Sequence, residues 1–145
     1  MALRLEWVGI AEADAADARQ AMTLVGVNQA VQVAARLPMP VQLITVILGE
    51  ESGGQSDAEL NINIHISVVD EDEETLVATT GELLLSAAAY KQLPRTIQMT
   101  AGVRFHAKRA GKYTIKVKMN SASGVVEGEK SIYVVIEKDT QVPSN

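Results

Sequence analysis

The chain has 145 residues, no cysteine, a formal net charge of −5 and only 3% aromatic residues. This length fits one domain with a single core, which must be built mainly from Val, Ile, Leu, Ala and Met. The lack of cysteine excludes disulfides, thiolate metal sites and cysteine nucleophiles, and an acidic chain is poorly suited to indiscriminate nucleic-acid binding.

The first ten residues predict an ordered strand, because Leu3, Leu5 and Trp7 alternate with charged residues. Those charges make the segment neither a signal peptide nor a membrane span, so a cytoplasmic location is the default expectation. The chain's one tryptophan is not expected at a frayed terminus unless its large apolar surface is buried. We therefore expect Trp7 to pack on the protein's own sheets or on the sheet edge of a neighbour.

Residues 11–21 are rich in Ala, Asp and Glu, which favours a helix by propensity alone, but their position between strand patterns favours a strand or a loop. Met22–Val27 and Val31–Ala34 are weaker strand candidates. Val41–Leu48 is a nearly continuous apolar run, as expected for a more buried strand.

Leu60–Val68 has the clearest alternation of apolar and polar residues, which predicts a strand with one buried and one wet face. Five consecutive acidic residues, Asp70–Glu74, end that strand before the pattern resumes at Thr75–Ala78, so the two strands are expected to form a hairpin. Residues 81–92 could finish a strand or form a short helix.

Lys112–Met119 alternates in the same way, and Ile132, Val134 and Ile136 share one parity. The polar segment Asn120–Gly124 separates these two regions at hairpin length.

Short strands joined by turns predict an all-β protein, a single antiparallel β-sandwich of Ig-like or C2-like architecture with seven to nine strands. We expect this domain to span residues 1–138 and residues 139–145 to be a disordered tail.

The order of several short motifs resembles an uncharacterised bacterial family of small β-sandwich proteins, a domain of unknown function. The motifs are Ala13-Asp14-Ala15-Ala16, Met22-Thr23-Leu24-Val25-Gly26, Leu37-Pro38-Met39-Pro40, Ile66-Ser67-Val68-Val69-Asp70-Glu71-Asp72 and Arg109-Ala110-Gly111-Lys112-Tyr113. The chain departs from that family by its first ten residues. The resemblance implies the fold and a strand at Ala13–Ala16, and it implies no activity and no site residues.

Charge is segregated along the chain. Residues 83–126 hold eight basic residues and no acid, whereas residues 1–82 hold fourteen acids and three bases. Clustered charge of one sign speeds encounters with oppositely charged surfaces, including those of a second copy. The weak interaction candidates are Arg104, Lys108, Arg109, Lys112, Lys116, Lys118 and Trp7.

The acidic turn is also a weak candidate for metal binding, because oxygen-rich loops of sandwiches can bind Ca²⁺ through groups such as Asp70, Asp72 and Glu74. Its simpler interpretation is a solvated turn, since the alternating Asp pattern of a calcium loop is missing. The two histidines, His65 and His106, lie far apart in sequence and have no cysteine to complete a zinc site.

No catalytic motif is found. The chain has no nucleophile elbow and no phosphate-binding loop, so we expect neither a cofactor nor an enzyme. The preferred hypothesis is a non-catalytic β-sandwich that acts by association, as a homo-oligomer or as a structural subunit of a larger assembly. The alternative is a module that binds Ca²⁺ or an anionic surface, and an enzyme of unknown type is third.

Overall fold

The computed structural model describes residues 2–11, 13–16, 22–25, 31–52, 58–87, 93–122 and 124–137. These residues form an all-β structure, as predicted, and contain ten strands. The strands are β1 (Ala2–Ala11), β2 (Ala13–Ala16), β3 (Met22–Val25), β4 (Val31–Ala34), β5 (Met39–Ser52), β6 (Leu60–Val69), β7 (Thr75–Leu85), β8 (Arg95–Ala107), β9 (Gly111–Ser121) and β10 (Gly124–Ile136).

Two sheets carry most of the fold. One has the strand order β1-β5-β8 and the other has the order β4-β10-β9-β6-β7, while β2 and β3 form a separate two-stranded ribbon. All strand pairs are antiparallel except β4 and β10, which run parallel. The expectation of a purely antiparallel sheet is therefore wrong at this edge, where β4 lies beside the last four residues of β10.

The core lies between the two sheets and follows the predicted alternation. Ile62, Ile64 and Ile66 of β6 are buried, and so are Ile115 and Val117 of β9. The polar residues between them point to the outer face of the five-stranded sheet. Burial of these β-branched side chains on one parity explains why these segments form strands and why their register is fixed.

The two ambiguous segments both contain strand in their described parts. Ala13–Ala16 is β2, which agrees with the strand alternative, and the strand alternative also holds for residues 81–85, which end β7. Residues 17–21, 88–92 and the predicted tail at 139–145 lie outside the described residues. The hairpins predicted at Asp70–Glu74 and Asn120–Gly124 are confirmed by the pairing of their flanking strands.

The first strand is confirmed, but the predicted alternation of its side chains holds for only half of it. A β-bulge between Leu5 and Trp7 shifts the register against β5. Leu5 and Val8 consequently both pack towards the core, where they approach Gly128 of β10. Trp7 is turned to the outer face, half-buried, with its ring over Gly9. The expectation that Trp7 shares a face with Leu5 is wrong because the bulge inserts one residue into the alternation.

A buried ion pair joins two neighbouring strands of the three-stranded sheet. Nε of Arg95 lies 2.8 Å from a carboxylate oxygen of Glu51, with both side chains almost completely buried. The guanidinium also donates hydrogen bonds to the backbone oxygens of Ala58, at 2.6 Å, and Ser86, at 3.3 Å. Arg95 thereby links β5 and β8 of one sheet to the residues that precede β6 and follow β7 in the other sheet.

Among the described residues, no helix is long and apolar enough to cross a membrane.

Candidate functional site

The acidic turn between β6 and β7 is held by its own first residue. One carboxylate oxygen of Asp70 accepts hydrogen bonds from the backbone N–H groups of Asp72, at 2.9 Å, and Glu74, at 3.0 Å. The backbone N–H of Asp70 in turn donates to the carbonyl oxygen of Glu74, at 3.0 Å. Asp70 therefore has a structural role, because its side chain replaces the hydrogen bonds that this turn cannot make to a neighbouring strand.

Arg109 lies against the same turn. Its guanidinium is 2.6 Å from a carboxylate oxygen of Asp72 and 3.4 Å from the second carboxylate oxygen of Asp70. The hydrogen bond to Asp72 and the negative charge of the turn raise the pKa of Arg109 above its usual value. The guanidinium thus lies where a cation bound by these two carboxylates would lie.

The three candidate calcium ligands do come together, but with cationic neighbours. Asp70, Asp72 and Glu74 line a hollow of about 240 Å³ whose wall also includes the basic residues His106, Lys108 and Arg109. No group of three or more Asp, Glu or His side chains within the described ranges is arranged to hold a metal ion.

Another acidic residue of the turn contacts the start of β9. A carboxylate oxygen of Glu71 accepts a hydrogen bond from the backbone N–H of Lys112, at 2.7 Å. Gly111 makes this approach possible: its φ is +143°, and a Cβ atom there would lie 2.8 Å from the same carboxylate oxygen. Together with Arg109, this contact fixes the turn on the β8–β9 connection.

The lysines of β9 lie on the outer face of the five-stranded sheet between polar and acidic partners. Lys116 lies in register between Ser67 of β6 and Glu129 of β10, and its ammonium group is also 3.1 Å from Glu73.

The next row along the same face pairs Lys118 with His65 of β6 and Glu127 of β10. Both rows line an open depression of about 520 Å³ in which positive and negative groups alternate. The lysine row is therefore not a single-sign surface, because Lys116 and Lys118 each lie beside a carboxylate, while Lys112 lies in register with Tyr133.

The other predicted interaction residues lie elsewhere. Arg104 is on the outer face of the three-stranded sheet, where it donates a hydrogen bond to Gln42, at 3.2 Å. Lys108 is exposed in the β8–β9 connection, and Arg95, a further member of the basic segment, is buried. The basic segment is thus contiguous in sequence, but the fold distributes its described members over two outer faces, one turn and the core.

The two histidines are not brought together. His65 lies on β6 and His106 on β8, which belong to different sheets, and both side chains are exposed on outer faces. The described residues therefore offer no histidine pair for a metal or for acid–base chemistry.

An exposed apolar row at the edge of the five-stranded sheet was not predicted from the sequence. Val31 and Val33 of β4 are 55% and 54% exposed, and Tyr133 of β10, in register with Val31, is 46% exposed. Within the part of the chain that the structure describes, β4 has a neighbouring strand on one side only. The sequence signal was the alternation of Val31 and Val33 with Gln32 and Ala34, which is too short to assign a face.

Comparison with protein-family models and with curated proteins finds no match to this chain.

Proposed function

We propose that this protein is a non-catalytic β-sandwich that acts by association, and that its partner is a second copy of the chain. The observation that carries the proposal is the exposed apolar row of Val31, Val33 and Tyr133 at the open edge of the five-stranded sheet. An exposed sheet edge with apolar side chains is a template for pairing with another chain.

Three of the usual protections of a sheet edge are missing from β4, and its shortness, four residues, is the protection that it does have. Edge strands are commonly blunted by lysine, by proline or by a bulge, and Val31–Ala34 contains none of these. The other edge of the same sheet differs, because β7 contacts β8 of the three-stranded sheet. The apolar row therefore lies at the edge that the described residues leave available for association.

Charge gives less support to association than the sequence pattern implies. The acidic turn and the basic segment form ion pairs within one chain, through Arg109 with Asp70 and Asp72 and through Lys116 with Glu73. Surface pairs of this kind contribute little energy each, but they place two of the basic side chains directly against the acidic turn. The same contacts weaken the alternatives of Ca²⁺ binding and of anionic-surface binding.

The sandwich architecture and the extent of the domain are also proposals. A sandwich of Ig-like or C2-like architecture, forming one domain over residues 1–138, is supported by a single cluster of buried side chains drawn from both large sheets. Membership of the bacterial family and a cytoplasmic location rest on the sequence patterns alone.

Light scattering over a concentration series tests the proposed association. We expect the mean mass to rise with protein concentration and the rise to persist from low to high salt, because apolar burial is not screened as surface charge is. Association that disappears at high salt would indicate charge-driven contact instead. A monomeric mass at all concentrations would contradict self-association.

A further inference from the structure

We propose that two copies join edge to edge through β4, with antiparallel β4 strands and with Gln32 of each copy on the two-fold axis. This inference rests on the proposed function, which it makes specific. The pairing would join the five-stranded sheets of the two copies into one continuous sheet of ten strands. Homodimers with two-fold symmetry use the same surface on both copies, and an antiparallel pair of identical edge strands is such a surface.

The position of β4 in the fold identifies it as the pairing edge. Of the two sheets' four edge strands, β7 and β8 contact each other, and β1 contacts β10. The contact between β1 and β10 involves Leu5 and Val8 next to Gly128, in the first half of β10. β4 adjoins only the last four residues of β10, so its far side is the edge that the described residues leave open.

The alternation of side chains restricts the register. Residues paired across antiparallel strands point to the same face, so an outward residue of one β4 must be paired with an outward residue of the other. Val31 and Val33 are exposed, whereas Ala34 is completely buried. Pairing Val31 with Ala34 is therefore excluded, and the two-fold axis must pass through a residue.

Centring the axis on Gln32 gives the largest number of apolar pairs. Val31 of each copy then lies opposite Val33 of the other, so two valine pairs form on the outer face, each flanked by Tyr133 of one copy and Val135 of the other. Centring on Val33 gives only one valine pair. Apolar pairs directly opposite each other are the contacts that stabilise neighbouring strands.

The charge pattern permits this contact between two copies that each carry a net charge of −5. All four residues of β4 are uncharged, so none of the paired positions brings like charges together. Because only four residues pair on each side, the buried area falls below that of standard stable complexes. The dimer should therefore be weak and depend on concentration.

Charge-swapped variants test the register. One variant carries Val31→Lys and Val33→Lys, and the other carries Val31→Glu and Val33→Glu. In each variant alone, like charges lie opposite each other across the axis, and we expect the dimer Kd to rise at least about tenfold. In an equimolar mixture every Lys lies opposite a Glu, so heterodimers should form with a Kd within about tenfold of the wild-type value.

Val125 provides the matched control. It is 53% exposed, similar to the two edge valines, but it lies in the β9–β10 hairpin, in register with Asn120. Val125→Lys and Val125→Glu should leave the dimer Kd unchanged, and circular dichroism should show that all variants keep the β fold. Analytical ultracentrifugation of single and mixed samples gives the Kd values.

The outcomes separate the two proposals. Recovery of dimerisation on mixing the two edge variants supports the register. A wild-type dimer that the edge variants leave unchanged, or that mixing does not restore, would overturn the β4 pairing while self-association stands. A wild-type protein that stays monomeric would overturn both.

Discussion

Arg95→Met should be among the most destabilising substitutions in this protein. It leaves the carboxylate of Glu51, which is 2% exposed, without its cationic partner, and one of its oxygens already has no hydrogen-bond partner among the described residues. Removing one partner of a buried ion pair costs about 3–5 kcal/mol of the free energy of unfolding, because an uncompensated charge stays in the interior. The backbone oxygens of Ala58 and Ser86 lose a donor at the same time.

Urea unfolding followed by circular dichroism measures this loss of stability. Two further variants test whether the uncompensated charge of Glu51 causes it. The double variant Arg95→Met with Glu51→Leu removes both charges and should recover most of the stability, since apolar replacement of a buried pair is often close to neutral. Arg104→Met, on the same strand but exposed, should cost less than about 1 kcal/mol. A loss for Arg95→Met no larger than that for Arg104→Met, or a double variant less stable than the single one, would refute the reasoning.

Three smaller perturbations test other contacts. Gly9→Ala places a Cβ atom 2.3 Å from the Trp7 ring, so it should displace the ring into water and red-shift the Trp fluorescence, whereas Gly102→Ala, with no atom within 4 Å, should leave the emission unchanged. Gly111→Ala should lower the free energy of unfolding by about 1–3 kcal/mol, measured in urea, because φ is positive there and the acidic turn occupies the space. Lys116→Ala should change it by less than about 1 kcal/mol, since its ion pair is exposed, and a larger loss would show that the pair is more than a surface contact.

The sequence predicted the strands whose residues alternate strongly. Leu60–Val68 and Lys112–Met119 lie within β6 and β9, with the expected parity buried. No strand was predicted for β8, although every second residue from Ile97 to Ala107 is apolar; the series is weakest at Ala101, where the side chain is small. Alternation is easiest to recognise where the buried positions are large and apolar.

The candidate site was harder to predict because it depends on contacts between distant residues. The ion pair between Arg109 and Asp72 joins two turns that are far apart in sequence, so the segregated charges gave no sign that they neutralise each other. The bulge before Trp7 reverses the side-chain parity of the rest of β1, and nothing in the residue pattern indicates it. The apolar row at Val31 and Val33 can be recognised as an association surface only from the position of β4 at a sheet edge.

Disulfide cross-linking at Gln32 tests the pairing of β4 strands most directly. The chain has no cysteine, so Gln32→Cys introduces one thiol per copy. Residues opposite each other in antiparallel strands have Cα atoms about 4.5–5.5 Å apart, which is within disulfide range. Under oxidising conditions at a concentration where the wild type is partly dimeric, Gln32→Cys should give a covalent dimer and Val125→Cys should not. Equal cross-linking of the two variants, or none for Gln32→Cys, would contradict the edge-to-edge dimer.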